Sequence, residues 1–310
     1  MSAFNGEVVI VTGGARGLGR AAALQLGANG ARVVVADRSW PEPPEAIAEE
    51  IAAAGGQAVT ACYSVTDDDG AEAIVATAID SFGRLDAVIN NAGVFGARPI
   101  ADLSTEEFRS VHDTHLIGSL QVIRHAWPHL IASPVSRIVN ITSGGGYYGL
   151  PQMQAYSAAK GGIMSLTRAL ALEGQEHGIL VNAVAPAART GDPEFNRLRK
   201  ERGEWGYFDM LLDNLGDRDG PEYAAPLYVY LASPACTVTD HFFVAGGARY
   251  ARVFIGESQG WTAPGGDVPT QEELKVHFAE IDTTVPAFIP ASMEESMRIN
   301  SGNTAGILTI

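Results

Sequence analysis

The feature that most constrains this chain is an alternation of short apolar runs with segments of helical period, beginning near the amino terminus. The runs Glu7–Thr12, Ala31–Ala36, Gln57–Ala61, Ala87–Ile89, Arg137–Ile141 and Ile179–Val184 are rich in Val and Ile and flanked by Gly or Asp, the marks of strands. Between them, Leu18–Ala28, Pro44–Ala54, Asp67–Phe82, Ser104–Ile131 and Gln154–His177 have helical length and pattern. The runs do not alternate polar with apolar residues, as expected of strands buried on both faces. The order therefore predicts an α/β fold built on a doubly wound parallel sheet of about seven strands, with helices on both faces and a ligand at the carboxyl edge. Pro221–Ala232 and a last strand around His241–Val244 complete that unit.

Composition narrows the classes. With 46% hydrophobic and 18% charged residues, the chain can bury a large core and is not of disordered type. A net charge of −15 argues against nucleic acid and against anionic membrane surfaces as partners, since both need clustered cations. Val8–Val11 is too short to span a bilayer, and no basic segment precedes it; a soluble, cytoplasmic protein is expected. Cys62 and Cys236 form no disulfide framework. His125 and His129 are four apart, but Pro128 lies between them and no third ligand is apparent, so no metal is expected.

Residues 1–249 are expected to form the dinucleotide-binding and catalytic domain. Within it, residues 192–220 mix charges with large apolar side chains (Trp205, Phe208 and Leu211 among them) and are expected to form a substrate lid. Residues 250–310 read as an extension packing on the main domain or on a partner subunit. Thr270–Ile281 is its one clear helix, and Thr270 and Glu273 have capping-box spacing.

Three constellations carry chemistry. In Thr12-Gly-Gly-Ala-Arg-Gly-Leu-Gly19, Gly13, Gly17 and Gly19 stand between the first strand and the first helix. A pyrophosphate needs glycine there because it must approach the backbone and the helix amino end closely. The second strand ends at Asp37, 18 residues after Gly19, where a carboxylate accepts hydrogen bonds from adenosine ribose hydroxyls. A 2′-phosphate about 4 Å from that carboxylate would cost about 1 to 4 kcal/mol. Arg16 and Arg38 can offset part of this, and NAD is favoured over NADP.

The second constellation is Tyr156-Ser-Ala-Ala-Lys160. Residues four apart share a helix face, so phenol and ammonium project together, and a fixed cation lowers the pKa of a phenol. Thirteen residues upstream the fifth strand ends at Thr142-Ser143, placing a hydroxyl at the sheet edge where the ligand belongs. The third is Asn90-Asn-Ala-Gly93 after the fourth strand, whose amides can hold strand ends while Gly93 admits a cofactor.

Together these elements resemble the short-chain dehydrogenase/reductase family in order and spacing, over roughly residues 5 to 247. The resemblance implies a Rossmann-type fold and hydride exchange between a nicotinamide and an alcohol or ketone. Tyr156 would be the general acid/base, Ser143 would orient the substrate oxygen, and Lys160 would hold the nicotinamide ribose. The implied cofactor set adds Leu18, Ser64, Val65, Asn91, Ala92 and Pro186 to Gly13, Arg16, Gly17, Gly19, Asp37, Gly93, Tyr156 and Lys160. Three positions depart from the pattern. His115 occupies the place of the family's helical asparagine, Ser64 that of a common aspartate, and Ala187 that of a glycine after Pro186.

His115 before Leu-Ile-Gly-Ser, Ser64-Val65, Gly220-Pro-Glu-Tyr-Ala-Ala-Pro226 and the segment from Pro269 onward further resemble the dehydrogenase unit of multifunctional enzymes of type 2. That unit acts on (3R)-hydroxyacyl-CoA and is also known as a 17β-hydroxysteroid dehydrogenase. The expectation is thus an NAD-dependent dehydrogenase of a bulky secondary alcohol, a (3R)-hydroxyacyl-CoA first and a hydroxysteroid second, working as a homodimer or homotetramer. His115 is expected to stand in for the asparagine, linking Lys160 to solvent through water, or else to be a packed helix residue. The rival from another class is a catalytically silent dinucleotide sensor.

Overall fold

The structure, a computed structural model, describes residues 3–38, 43–191, 206–266, 268–283, 285–290, 292–300 and 304–309. The chain divides into two compact units, Met1–Arg252 and Val253–Ile310.

In the first unit, strands β1 (Val8–Thr12), β2 (Arg32–Ala36), β3 (Gln57–Ala61), β4 (Ala87–Asn90), β5 (Arg137–Ile141), β6 (Leu180–Pro186) and β7 (His241–Gly246) alternate with helices. Those helices are α1 (Gly17–Ala28), α2 (Glu45–Ala53), α3 (Asp68–Phe82), α4 (Thr105–His112), α5 (Gly118–Ala132), α6 (Gly145–Tyr148), α7 (Gln154–Gly174), α8 (Tyr207–Asp213) and α9 (Ala225–Ala232). The sheet runs β3-β2-β1-β4-β5-β6-β7-β8, and every pair from β3 to β7 is parallel. An eighth strand, β8 (Arg249–Val253), exceeds the seven that the apolar runs predict. It follows a tight turn in which Gly247 and Ala248 both have positive φ, the requirement of a two-residue hairpin.

The strands are buried on both faces because they have no polar side. In β1, Val9 and Val11 enter one core with Leu26 of α1, Ile51 of α2 and Tyr228 of α9. Val8 and Ile10 enter the other with Ile74 of α3, Val122 of α5 and Ala171 of α7. Each fully buried Val or Ile stabilises the fold by about 1.5–3 kcal/mol. The strand order reverses at β1, whose neighbours are β2 and β4; the crevice of a doubly wound sheet opens at that point, beyond the carboxyl ends.

The single helix expected over Ser104–Ile131 is interrupted. A π-helical turn, Asp113–Ile117, joins α4 to α5, with the Gly118 amide reaching back to Asp113 O. Such a turn holds one residue more than an α-turn, and it carries His115 into the interior, where that side chain is 3% exposed.

In the second unit, β9 (Glu257–Ser258), β10 (Pro286–Ile289) and β11 (Leu308–Thr309) form an antiparallel sheet. The expected helix Thr270–Ile281 is two short helices, α10 (Gln271–Val276) and α11 (Phe278–Ile281), broken at His277. The expected Thr270–Glu273 capping box is present. Helix α12 (Met293–Asn300) precedes β11. Among the described residues, no helix is long and apolar enough to cross a membrane.

Candidate active site

A cleft of about 2560 Å³ opens at the carboxyl edge of the sheet. Its floor begins with the glycine turn between β1 and α1. Gly13 has φ +64°, and a Cβ there would fall 2.9 Å from Ala92 Cα; one on Gly19 would fall 2.1 Å from Gly13 O. Both positions therefore require glycine. Asn91 fastens the turn to β4: its Nδ2 donates to Thr12 O at 3.0 Å and to Gly13 O at 3.1 Å. The Thr12 hydroxyl accepts from the amides of Asn91 and Ala92, each at 3.0 Å. Arg16, the N-cap of α1, supplies no side-chain cap, so the first-turn amides remain available to an anion.

Asp37 follows β2. One carboxylate oxygen accepts from Ala15 N at 3.0 Å and the other from Arg38 N at 2.8 Å, so the group is fixed between the glycine turn and its own strand. Arg16, Leu18, Arg38, Ser64 and Val65 line the same end of the cleft.

At the other end, α7 presents Tyr156 and Lys160, 5% and 4% exposed. Both line the cleft, and the ammonium stands 5.7 Å from the phenol ring centroid. Lys160 Nζ donates to Ile141 O, and Lys160 O accepts from the Thr142 hydroxyl at 2.7 Å, so α7 is pinned to the end of β5. Ser143 accepts from Gly145 N at 3.1 Å and hydrogen-bonds the Tyr156 hydroxyl. Burial pushes Lys160 down to about 7. It also pushes the Tyr156 phenol up, a shift that the Ser143 hydrogen bond offsets in part. This balance differs from the sequence expectation of a phenol lowered by its cation. The environment that would desolvate a phenolate also removes charge from Lys160, so burial dominates both groups.

The glycine turn, the carboxylate after β2 and the Tyr156–Lys160 pair all converge on one cleft, with Ser143 hydrogen-bonded to the phenol. The profile of the short chain dehydrogenase family matches residues 7–201. The chain belongs to the short-chain dehydrogenase family.

Peroxisomal multifunctional enzyme type 2 of Mus musculus is 33% identical over 94% of this chain, which spans 39% of that protein. A 3-oxoacyl-[acyl-carrier-protein] reductase of Synechocystis is 36% identical over 60% of this chain and 75% of its own length. The crystal structure of a short chain dehydrogenase from Mycobacterium avium superimposes with a TM-score of 0.77 at 33% identity, covering 94% of this chain and all of that one.

The dehydrogenase cleft also contains residues that the sequence reading did not single out. Phe95 stacks on Tyr156 with centroids 5.0 Å apart, and Met153 lines the cleft beside it. His115 Nε2 meets the main chain of Val94, 2.8 Å from its O and 3.1 Å from its N. Nδ1 is buried without a hydrogen-bond partner. Burial, together with the nearby Lys160 charge, lowers the His115 pKa to about 3. The ring lies so close to Gly93 that a Cβ there would fall 2.4 Å from His115 Cε1.

Of the expected substrate residues, Trp205 lies outside the described residues, as does the rest of 192–205 of the expected lid. Phe208 belongs to α8. Leu211 is 41% exposed, while Tyr207 and Leu212 of the same helix line the cleft. Pro186 lines the cleft at the end of β6, and Thr190 follows it there.

Proposed function

We propose that this dehydrogenase is NAD-dependent and interconverts a (3R)-hydroxyacyl-CoA with its 3-oxo form. The observation that carries the reading is the placement of buried Tyr156 and Lys160 in the same cleft as the glycine turn and Asp37. Gly13 and Gly19 leave room that any Cβ would fill, and the open amides of α1 suit a pyrophosphate. Arg16 and Leu18 would flank it. Asp37 would hold the adenosine ribose, and its negative charge disfavours a 2′-phosphate. Ser64 and Val65 would border the adenine, Asn91, Ala92 and Gly93 the ribose and nicotinamide, and the Pro186 main chain the amide. When bound, the cofactor supplies a two-electron acceptor or donor.

The chain's own part is proton transfer and placement. A phenol whose pKa is raised by burial is protonated at neutral pH, so Tyr156 is suited to donate to a carbonyl oxygen; in the reverse direction the phenolate form receives the alcohol proton. The Ser143 hydrogen bond orients the phenol and the substrate oxygen. Lys160, held by Ile141 O, would meet the cofactor ribose. Phe95, Met153 and Leu212 give the cleft an apolar wall for an acyl chain. A relative named for 3-oxoacyl thioesters and another named as a multifunctional enzyme of type 2 support the substrate class.

NAD and NADP reduction should be measured against (3R)-hydroxyacyl-CoAs, their (3S) epimers and 17β-hydroxysteroids. The expected result is NAD reduction with the (3R) thioesters at the highest kcat/KM. Preference for a steroid would replace the acyl-CoA reading, and no turnover of any alcohol would favour a cofactor sensor.

A further inference from the structure

The residues that follow β6 touch both halves of the cleft. Ala187 N donates to Ala245 O at 2.8 Å, which fastens the start of this segment to β7. Three residues later the Thr190 side chain lies over the phosphate turn: a Cβ on Gly17 would fall 3.1 Å from Thr190 Cγ2 and 3.2 Å from its Cβ. Arg189, immediately before Thr190, holds α8. Its Nε donates to Asp219 Oδ2 at 2.5 Å. Nη2 donates to Asp213 Oδ1 at 2.8 Å and to Asp209 O at 3.3 Å, and Nη1 is 3.6 Å from Asp209 Oδ1. The Arg189 side chain is 14% exposed, so these pairs are better shielded than surface bridges, and removing one partner leaves partly buried charge behind. Asp209 and Asp213 are four apart on α8, hence on one face, and a single guanidinium sets the rotation of that helix. The same helix brings Tyr207 and Leu212 to the cleft.

We propose that Arg189 is a positioning residue coupling occupation of the phosphate turn to the placement of α8. The proposal rests on the reading above for the substrate that Tyr207 and Leu212 face. A pyrophosphate at the amino end of α1 must contact Thr190, which already packs on Gly17. With Ala187 fixed, whatever sets Thr190 is passed through one peptide unit to Arg189 and thence to three carboxylates. Filling the cofactor end therefore fixes the substrate wall.

The test is hydrogen exchange of the amides of Tyr207–Asp213 with and without NADH, in the wild type, Arg189→Gln and Asp213→Asn. NADH affinity is followed by fluorescence and the KM for a (3R)-hydroxyacyl-CoA by turnover. NADH should slow exchange in the wild type about tenfold, a coupling of ordinary size. Arg189→Gln should lose that response and Asp213→Asn part of it, with NADH affinity nearly unchanged and KM raised more than kcat is lowered. An equal response to NADH in wild type and Arg189→Gln would overturn the proposal, as would no response in the wild type. So would a loss of NADH affinity as large as the loss of response, since Arg189 would then act on the cofactor site itself. If the wild type turns over no acyl-CoA, the substrate reading fails and the exchange measurement still decides the coupling.

Discussion

The ring of His115 stands edge-on to that of Tyr156, with centroids 5.3 Å apart and planes at 87°. Nε2 is engaged by the Val94 main chain and Nδ1 is buried without a hydrogen-bond partner. The ring thus props the phenol from the side while spanning from the π-helical turn to the segment after β4. A neutral imidazole fits this place and a charged one does not, which is why its pKa falls to about 3.

That shift has a consequence for stability. Above pH 6.5 the ring is neutral in both folded and unfolded chains. Below it the unfolded chain takes up a proton that the folded chain refuses, so the fold loses stability as the pH falls toward 3. By pH 4 the loss is on the order of 3 kcal/mol. His115→Asn removes the titration, so the stability gap between wild type and variant should narrow or reverse as pH drops from 7 to 4. Denaturant midpoints at several pH values measure this; parallel curves would show that the ring titrates normally.

Tyr156→Phe keeps the Phe95 stack and deletes the hydroxyl. NADH affinity should stay within about threefold and turnover should fall by about 10²- to 10⁴-fold, the usual contribution of a general acid–base group. Retention of a tenth of the wild-type kcat would remove Tyr156 from proton transfer.

Asp37 uses both carboxylate oxygens on main-chain amides, Ala15 N and Arg38 N. Asp37→Ala should narrow the NAD-over-NADP preference by about one to three powers of ten, the electrostatic cost of a 2′-phosphate beside the carboxylate. It should also loosen the glycine turn and weaken NAD itself. An unchanged ratio of the two kcat/KM values would mean that Arg16 and Arg38 already accommodate the phosphate.

Much of the site was legible because its signals are local. The glycine turn, Asp37, Asn90–Gly93 and the Tyr156–Lys160 spacing each lie within one strand end or two helical turns, where spacing dictates direction. The apolar strands gave the sheet for the same reason. What the sequence hid depends on distant partners: Thr12 acts through Asn91, Phe95 through Tyr156, and Arg189 through Asp219 thirty residues on. The π-helical turn leaves the apolar period of Ser104–Ile131 almost intact, so periodicity alone reads through it. Strand β8 is an edge strand with Arg249 and Tyr250 exposed, and lacks the apolar run that marked the others.

The phase of α8 was illegible for a further reason, and it yields the sharpest local test. A helix of seven residues, Tyr207–Asp213, makes barely two turns, and adjacent leucines at 211 and 212 are about 100° apart around its axis. Only tertiary contact decides which one faces inward, and Leu212 is 4% exposed while Leu211 is 41% exposed. Leu212→Ala should cost about 2–5 kcal/mol of local or global stability, the range for buried leucines. It should also raise the KM for a bulky substrate. Leu211→Ala should stay within about 0.5 kcal/mol of wild type, as surface changes do. Thermal melts and substrate kinetics of the two variants measure this directly. A larger loss from Leu211→Ala would mean that α8 is rotated by a quarter turn or more, and the guanidinium of Arg189 would then have to find its carboxylates elsewhere.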